Sequence, residues 1–281
     1  MLKRPLYLGL LAFWLIFPAQ AEESYRRLPW HLVDIRWTLE AGVEKEPFKE
    51  FILDVGIDGE PGEALSFFIS PFTFGFINGP MVYGGLQTHV WKLPLGKKRG
   101  LIFSRWGERR EDFIRPADDG AWQSAGYEGD FISTRAPLLW RAGQHQMRLT
   151  YRPAEKPADS PNHWVGFSFC LEMTECRSAG ELGFADSKPR MPRNFISFVE
   201  IYGKNTDLSA LQNFSVTFSH PRLNGRSVRI ESVEAFFPPD IPAIARVMRI
   251  DPMTVKIEIG KSDDRGQFRT DKHKNKFQSL P

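Results

Sequence analysis

His31-Leu32-Val33-Asp34-Ile35-Arg36-Trp37-Thr38-Leu39-Glu40 alternates apolar and polar residues over much of its length. Successive side chains of an extended chain point to opposite faces, so alternation marks a strand with one buried and one solvated face. The same period recurs in Phe51 to Ile57, Gly100 to Trp106, Gln144 to Tyr151, Trp164 to Glu172, Asn194 to Tyr202, Phe214 to His220 and Thr254 to Ile259. Val228 to Phe236 follows it too, with Val228, Ile230, Ser232 and Glu234 expected on one face. Helical signals are scarce: Asp207 to Leu211 predicts one short turn and Pro242 to Ala245 another.

Composition agrees with this reading. The chain carries 23 Phe, 8 Trp, 23 Gly and 21 Pro. Aromatic residues favour pleated surfaces, and Gly and Pro punctuate turns. No internal repeat is visible, which argues against a propeller. The expectation is an all-β fold: an antiparallel β-sandwich of the jelly-roll, lectin- or concanavalin-like kind with few short helices. One domain is expected over residues 22–260, since sandwiches reach 200 to 250 residues. Lys261 to Pro281 is polar and predicts a flexible tail. Pro153 to Pro161, PAEKPADSP, reads as a surface loop.

The first 21 residues follow the pattern of a cleaved secretory signal. Lys3 and Arg4 precede an apolar run from Leu6 to Phe17, and Ala19-Gln20-Ala21 supplies small residues at the cut. The expected mature protein is exported, periplasmic or extracellular, and starts near Glu22. Without Lys3 and Arg4, 35 of the 37 basic side chains face 34 acidic ones. Such a balance argues against nucleic acid as a partner. No later stretch predicts a transmembrane segment. Cys170 and Cys176 are the two cysteines, and in an oxidising compartment a lone pair is expected to join. Five intervening residues suit a bridge across a tight hairpin, contributing roughly 2 kcal/mol through loop entropy.

Several stretches are candidates for chemistry. In YGGLQTH, Gly85, Gln87 and His89 share a strand face, and the two glycines allow close approach of a ligand or another backbone. In IFSRWG, Ser104 and Trp106 share a face with Arg105 opposite, and Trp106 is either a stacking platform for a sugar or core. GERREDFIR, Gly107 to Arg115, is mixed in charge and predicts a solvated loop with local ion pairs. In AGYEGDF, Glu128 and Asp130 could work as an acid and base pair on a glycoside, or hold calcium with backbone oxygens. No other cofactor is expected, and no zinc pattern completes the two cysteines. Equally, Glu128 could pair with Arg105, Arg135 or Arg148 to hold the loop. No nucleophile elbow, P-loop, dinucleotide fingerprint or zinc helix occurs.

Taken in order, GGLQTH, LIFSRWG, SAGYEGDF, LLWRAGQHQMRLTY and HWVGFSF resemble the bacterial family known as domain of unknown function 3472. The resemblance spans about Tyr83 to Tyr202. It rests on Gly85 and Gln87, then Phe103, Ser104 and Trp106, then Gly126, Glu128 and Gly129, and finally Trp140, Gly143 and Trp164. It implies an exported sandwich of lectin-like type and carries no reaction with it. Gln87-Thr88-His89 also resembles the Q-[I/V]-H strand of an alginate lyase family, which would give Tyr83 or Tyr127 a proton-transfer role. That family's R-[S/T]-E-L-R strand is missing here. The leading expectation is a non-catalytic carbohydrate-binding module using Gln87, Arg105, Trp106, Glu128, Asp130 and Trp140. The alternatives are a polysaccharide-degrading hydrolase or lyase, and an envelope protein that binds another protein.

Overall fold

A computed structural model describes residues 27–77, 79–90, 98–127, 129–154, 161–185, 189–260 and 278–280. In chain order the strands are β1 (Trp30–Leu39), β2 (Glu50–Asp58), β3 (Ser66–Gly75), β4 (Met81–Val90), β5 (Lys98–Trp106), β6 (Ile114–Pro116), β7 (Ala121–Ala125), β8 (Phe131–Pro137) and β9 (Gly143–Pro153). They continue as β10 (His163–Leu171), β11 (Glu175–Phe184), β12 (Asn194–Tyr202), β13 (Phe214–Leu223), β14 (Arg226–Ser227), β15 (Ile230–Phe236), β16 (Ala245–Asp251), β17 (Thr254–Ile259) and β18 (Gln278–Ser279). Two antiparallel sheets face each other as a β-sandwich. The first runs β18-β15-β1-β12-β3-β4-β5-β8-β7, and the second β16-β17-β13-β2-β9-β10-β11-β6. Neighbours distant in sequence, such as β1, β12 and β3, require the chain to cross repeatedly between the sheets. No helix among the described residues is long and apolar enough to cross a membrane.

The expected alternation supplies most of the core. Trp37, Ile35, Phe195, Val199, Phe218 and Val216 are fully or almost fully buried between the sheets in one continuous cluster. The alternation is broken where strands carry bulges. In β1 the register shifts between His31 and Val33, so Leu32 and Val33 are both buried while His31 and Asp34 share the outer face. In β3 the shift falls between Ile69 and Phe72. Phe67 and Ile69 then point inward together with Phe72 and Phe74, while Phe68 joins a separate outer cluster.

Proline explains the position of the second bulge. Pro71 has no N–H for a ladder, and bulges are where strands tolerate it. Its carbonyl accepts from Ser197 Oγ at 2.6 Å, and Ser197 Oγ accepts in turn from Trp37 Nε1 at 2.9 Å. Ser70 Oγ donates to Phe72 O and Gly84 O. Opposite the bulge stands Gly85, where a β-carbon would lie 2.0 Å from the Ile69 carbonyl oxygen. The close approach allowed by the glycine pair is therefore, at Gly85, that of a neighbouring strand.

Three expectations change. Pro242 to Ala245 forms no helical turn, because Ala245 opens edge strand β16. Val228 to Phe236 is strand only from Ile230, and Ile230 and Val233 are both buried across a register shift at Thr38/Leu39. The tail is not wholly loose: Gln278–Ser279 pairs with β15, and Leu280 N–H donates to Val233 O at 2.9 Å. Strands β3, β8, β11 and β16 form without clear alternation. By contrast Leu208–Ala210 makes the expected turn, capped by Asp207 accepting from Ser209 N–H. The Cys170–Cys176 disulfide closes the β10–β11 hairpin. The signal segment, the core of the 153–161 loop and residues 261–277 lie outside the described residues.

Candidate functional site

The outer face of the first sheet holds an open cavity of about 660 Å³. Ladder registers show how it is assembled. One row across the sheet is His31, Glu200, Phe68 and Gln87. The next is interrupted by the β3 bulge, with Phe198 paired to Ser70 on one side and Gly85, Ile102 and Arg135 in line on the other, and a third runs through Thr73, Tyr83, Ser104, Ser133 and Gln123. Phe68, Ile102 and Phe198 form an apolar floor, separate from the main core and flanked by Tyr83, Ile196 and Tyr202. Phe68 lies here because the β3 bulge turns it outward.

Aromatic rings rise from this floor. Trp106 packs on Tyr83 with centroids 4.6 Å apart and an interplanar angle of 37°. Tyr127, 70% exposed, stands at the rim, and its hydroxyl accepts from Gln123 Nε2 at 3.2 Å. Tyr202 is tied down: its phenol donates to His89 O at 2.7 Å. Burial raises its pKa far above the ordinary phenol value. It is a poor proton acceptor.

Two cationic centres stand toward opposite ends. His31, on β1, lies between Asp34 Oδ1 at 2.8 Å and Glu200 Oε2 at 2.9 Å, and stacks on Phe198 at 4.4 Å. Burial by itself would lower its pKa, but hydrogen bonds and charge from Asp34 and Glu200 prevail and raise it to about 10. The ring is therefore an imidazolium at neutral pH. Only the β1 bulge places His31 and Asp34, three residues apart, on the same face.

Arg135, on β8, is 7% exposed. Its Nη1 donates to Ser133 Oγ at 2.8 Å and its Nη2 to Gln123 Oε1 at 2.9 Å. Burial pulls its pKa below the ordinary guanidinium value. Among the described residues it makes no ion pair.

The sequence-based candidates separate into distinct places. Gln87 and Trp106 line the cavity. Arg105 does not: it lies on the inward face of β5, 4% exposed, with Nη1 donating to Gly183 O and its guanidinium 4.5 Å from the Phe184 ring. One residue's displacement along a strand puts it on the opposite side from Trp106. Trp140 is also removed from the surface, at 1% exposure. Its Nε1 donates to Gln87 O at 3.1 Å and Arg99 lies 4.7 Å from its ring, so it supports β4 from behind. Asp130 is exposed and faces Arg109 at 3.5 Å, away from the cavity lining. Among the described residues no three His, Cys, Asp or Glu side chains gather as a metal site.

Glu128 lies outside the described residues. Of its three expected arginine partners, Arg105 is held by Gly183, and Arg148 lies 3.4 Å from Glu50 on the other sheet. Arg135 is the one lining the cavity. In the charged loop, Glu108 is buried and accepts from the backbone N–H groups of Arg109 and Arg110 and from the Arg110 guanidinium. That guanidinium bond leads in holding its pKa down to about 2.

Sequence reasoning missed His31, Phe68, Phe198 and Glu200 as site residues. A signal for two of them exists in β12: Phe198 and Glu200 share the face opposite Phe195 and Val199, so an aromatic stands where the solvated side of a strand is expected. Searches against protein-family models and against curated proteins found no match.

Proposed function

We propose that the chain is a non-catalytic glycan-binding module of an exported protein, and that the outer-face cavity of the first sheet is its binding site. The observation that carries this reading is an open cavity with an apolar floor, aromatic walls at Trp106, Tyr83 and Tyr127, and convergent polar groups at Gln87, Gln123 and Arg135. Sugars present C–H patches to aromatic faces and hydroxyls to amides and guanidinium groups. The volume falls within the usual range for ligand sites, roughly 300 to 1,000 Å³. Stacking adds about 0.5 to 1.5 kcal/mol per ring beyond area burial, so a single sugar would bind weakly and affinity would grow with chain length.

Binding is favoured over hydrolysis by the lining carboxylates. Glycoside hydrolysis uses two, one of them free to donate or accept a proton. Among the described residues Glu200 is the one lining the cavity, and it is engaged by His31 at 2.9 Å.

Affinity electrophoresis in gels containing soluble polysaccharides tests the reading. The wild-type chain should be retarded by at least one polymer, and Trp106→Ala should weaken that retardation by about tenfold, the size expected for losing one well-placed stacking ring and its buried area. Migration unaffected by every polymer in a broad panel, or a Trp106→Ala variant that binds as well as wild type, would remove the proposal.

A further inference from the structure

The two ends of the cavity differ in charge. Glu200 on β12 and Arg135 on β8 are separated by three intervening strands, about 19 Å of backbone at the usual interstrand spacing. At the β12 end, one imidazolium stands between two carboxylates, which leaves a surplus negative charge. At the β8 end, Arg135 brings a positive charge whose described partners, Ser133 and Gln123, are both neutral.

A guanidinium has five N–H donors, and these two bonds use two of them. The side chain lines the cavity, and none of its nitrogens is sealed from solvent without a partner. A buried cation without a counter-ion is costly, and a bidentate carboxylate is the geometry its fork matches best.

Resting on the glycan-binding reading above, we infer that the ligand carries an isolated acidic sugar. Its carboxylate pairs with Arg135, while neutral sugars occupy the end bounded by His31 and Glu200. Arg135 selects the acid. The surplus negative charge at the far end excludes a second acid in the same stretch. The site therefore discriminates against neutral glycans on one side and against polyuronates on the other.

Three polymer types distinguish the outcomes: a neutral arabinoxylan, a glucuronoxylan bearing isolated glucuronates, and polygalacturonate. Wild-type protein should bind the glucuronoxylan at least tenfold more tightly than either of the others. Arg135→Met, which removes the guanidinium at similar volume, should reduce that preference to less than twofold. Asp34→Asn, which removes one of the two carboxylates beside His31, should strengthen polygalacturonate binding several-fold.

Equal binding of neutral and acidic xylans would overturn this inference while the glycan-binding reading stands. Absence of binding to all three, with binding to some other neutral glycan, would do the same. Absence of binding to any glycan removes both. An Arg135→Met variant that keeps the full preference for glucuronoxylan would overturn the inference as well.

Discussion

Gly85 shows how little latitude single positions have on this sheet. A β-carbon there would lie 2.0 Å from Ile69 O and 2.9 Å from Pro71 Cδ, both fixed by the bulge and its hydrogen bonds. Gly85→Ala should therefore cost about 3 kcal/mol, at the upper end of overpacking effects. A urea midpoint close to wild type would refute this. His31 makes a second prediction, in pH. An ordinary histidine titrates near 6.5 and this one near 10, so the fold holds the proton more tightly than the unfolded chain. Its stabilisation is complete below about 6.5 and is lost as pH rises through 10. The stability difference between wild type and His31→Gln should be about 2 kcal/mol at pH 6, a discounted figure because the side chain is 32% exposed, and should shrink toward zero by pH 10.5. A pH-independent difference would show that the two carboxylates do not hold the proton there.

At the level of elements, the β10–β11 hairpin is the segment whose chemistry was most legible in the sequence. Cys170 and Cys176 are paired residues across it, and its turn places Glu172 and Met173 at φ of 48° and 61°. Such angles are uncommon for residues other than glycine, so the crosslink holds a turn that its own residues disfavour. Replacing both cysteines with serine should cost about 2 kcal/mol, read from chemical denaturation, and dithiothreitol should lower the wild-type midpoint equally. An unchanged midpoint in both cases would contradict this. Strands with one wet face, such as β12 and β17, were legible to the residue, because water on one side enforces a period of two. Strand β3 was not: SFFISPFTFG is apolar nearly throughout, and its proline argues against a central strand unless a bulge is foreseen.

In the whole molecule, one hydrophobic cluster runs from Trp30 to Ile259 and draws on both sheets. Apart from the small outer cluster of Phe68, Ile102 and Phe198, neither sheet has a core of its own, so the described body should unfold as a unit. Far-ultraviolet circular dichroism and tryptophan fluorescence should give coincident transitions, and separated midpoints would show two independently stable parts. The sandwich class was legible because it follows from many local patterns at once. The site was legible only in pieces. Gln87 and Trp106 occur in short motifs and could be singled out, whereas His31, Phe68, Arg135 and Glu200 come to line one cavity only through ladders linking distant parts of the chain. Arg105 and Trp140 were misplaced for a related reason. Residue type suggests what a side chain can bind, but strand parity and the opposing sheet decide whether it meets solvent.

The bulges in β1 and β3 keep two reading frames in a single strand. On one side of Pro71 the frame that fills the core is the odd-numbered one, Phe67 and Ile69; on the other it is the even-numbered one, Phe72 and Phe74. Loss of one residue at this point would merge the frames without turning any side chain over: Phe67, Ile69, Phe72 and Phe74 would follow one inward alternation, and Phe68 would stay outward. The partner strand already counts this way, since Ile69 and Phe72 pair with Leu86 and Gly84, two residues apart. The same holds for His31 and Asp34 across Leu32-Val33, where His31 and Val33 pair with the adjacent residues Glu200 and Val199. A single-residue deletion is therefore absorbed at either bulge, whereas one within a regular stretch, such as Phe72 to Phe74, would turn the rest of the strand over and force a choice between the binding face and the core.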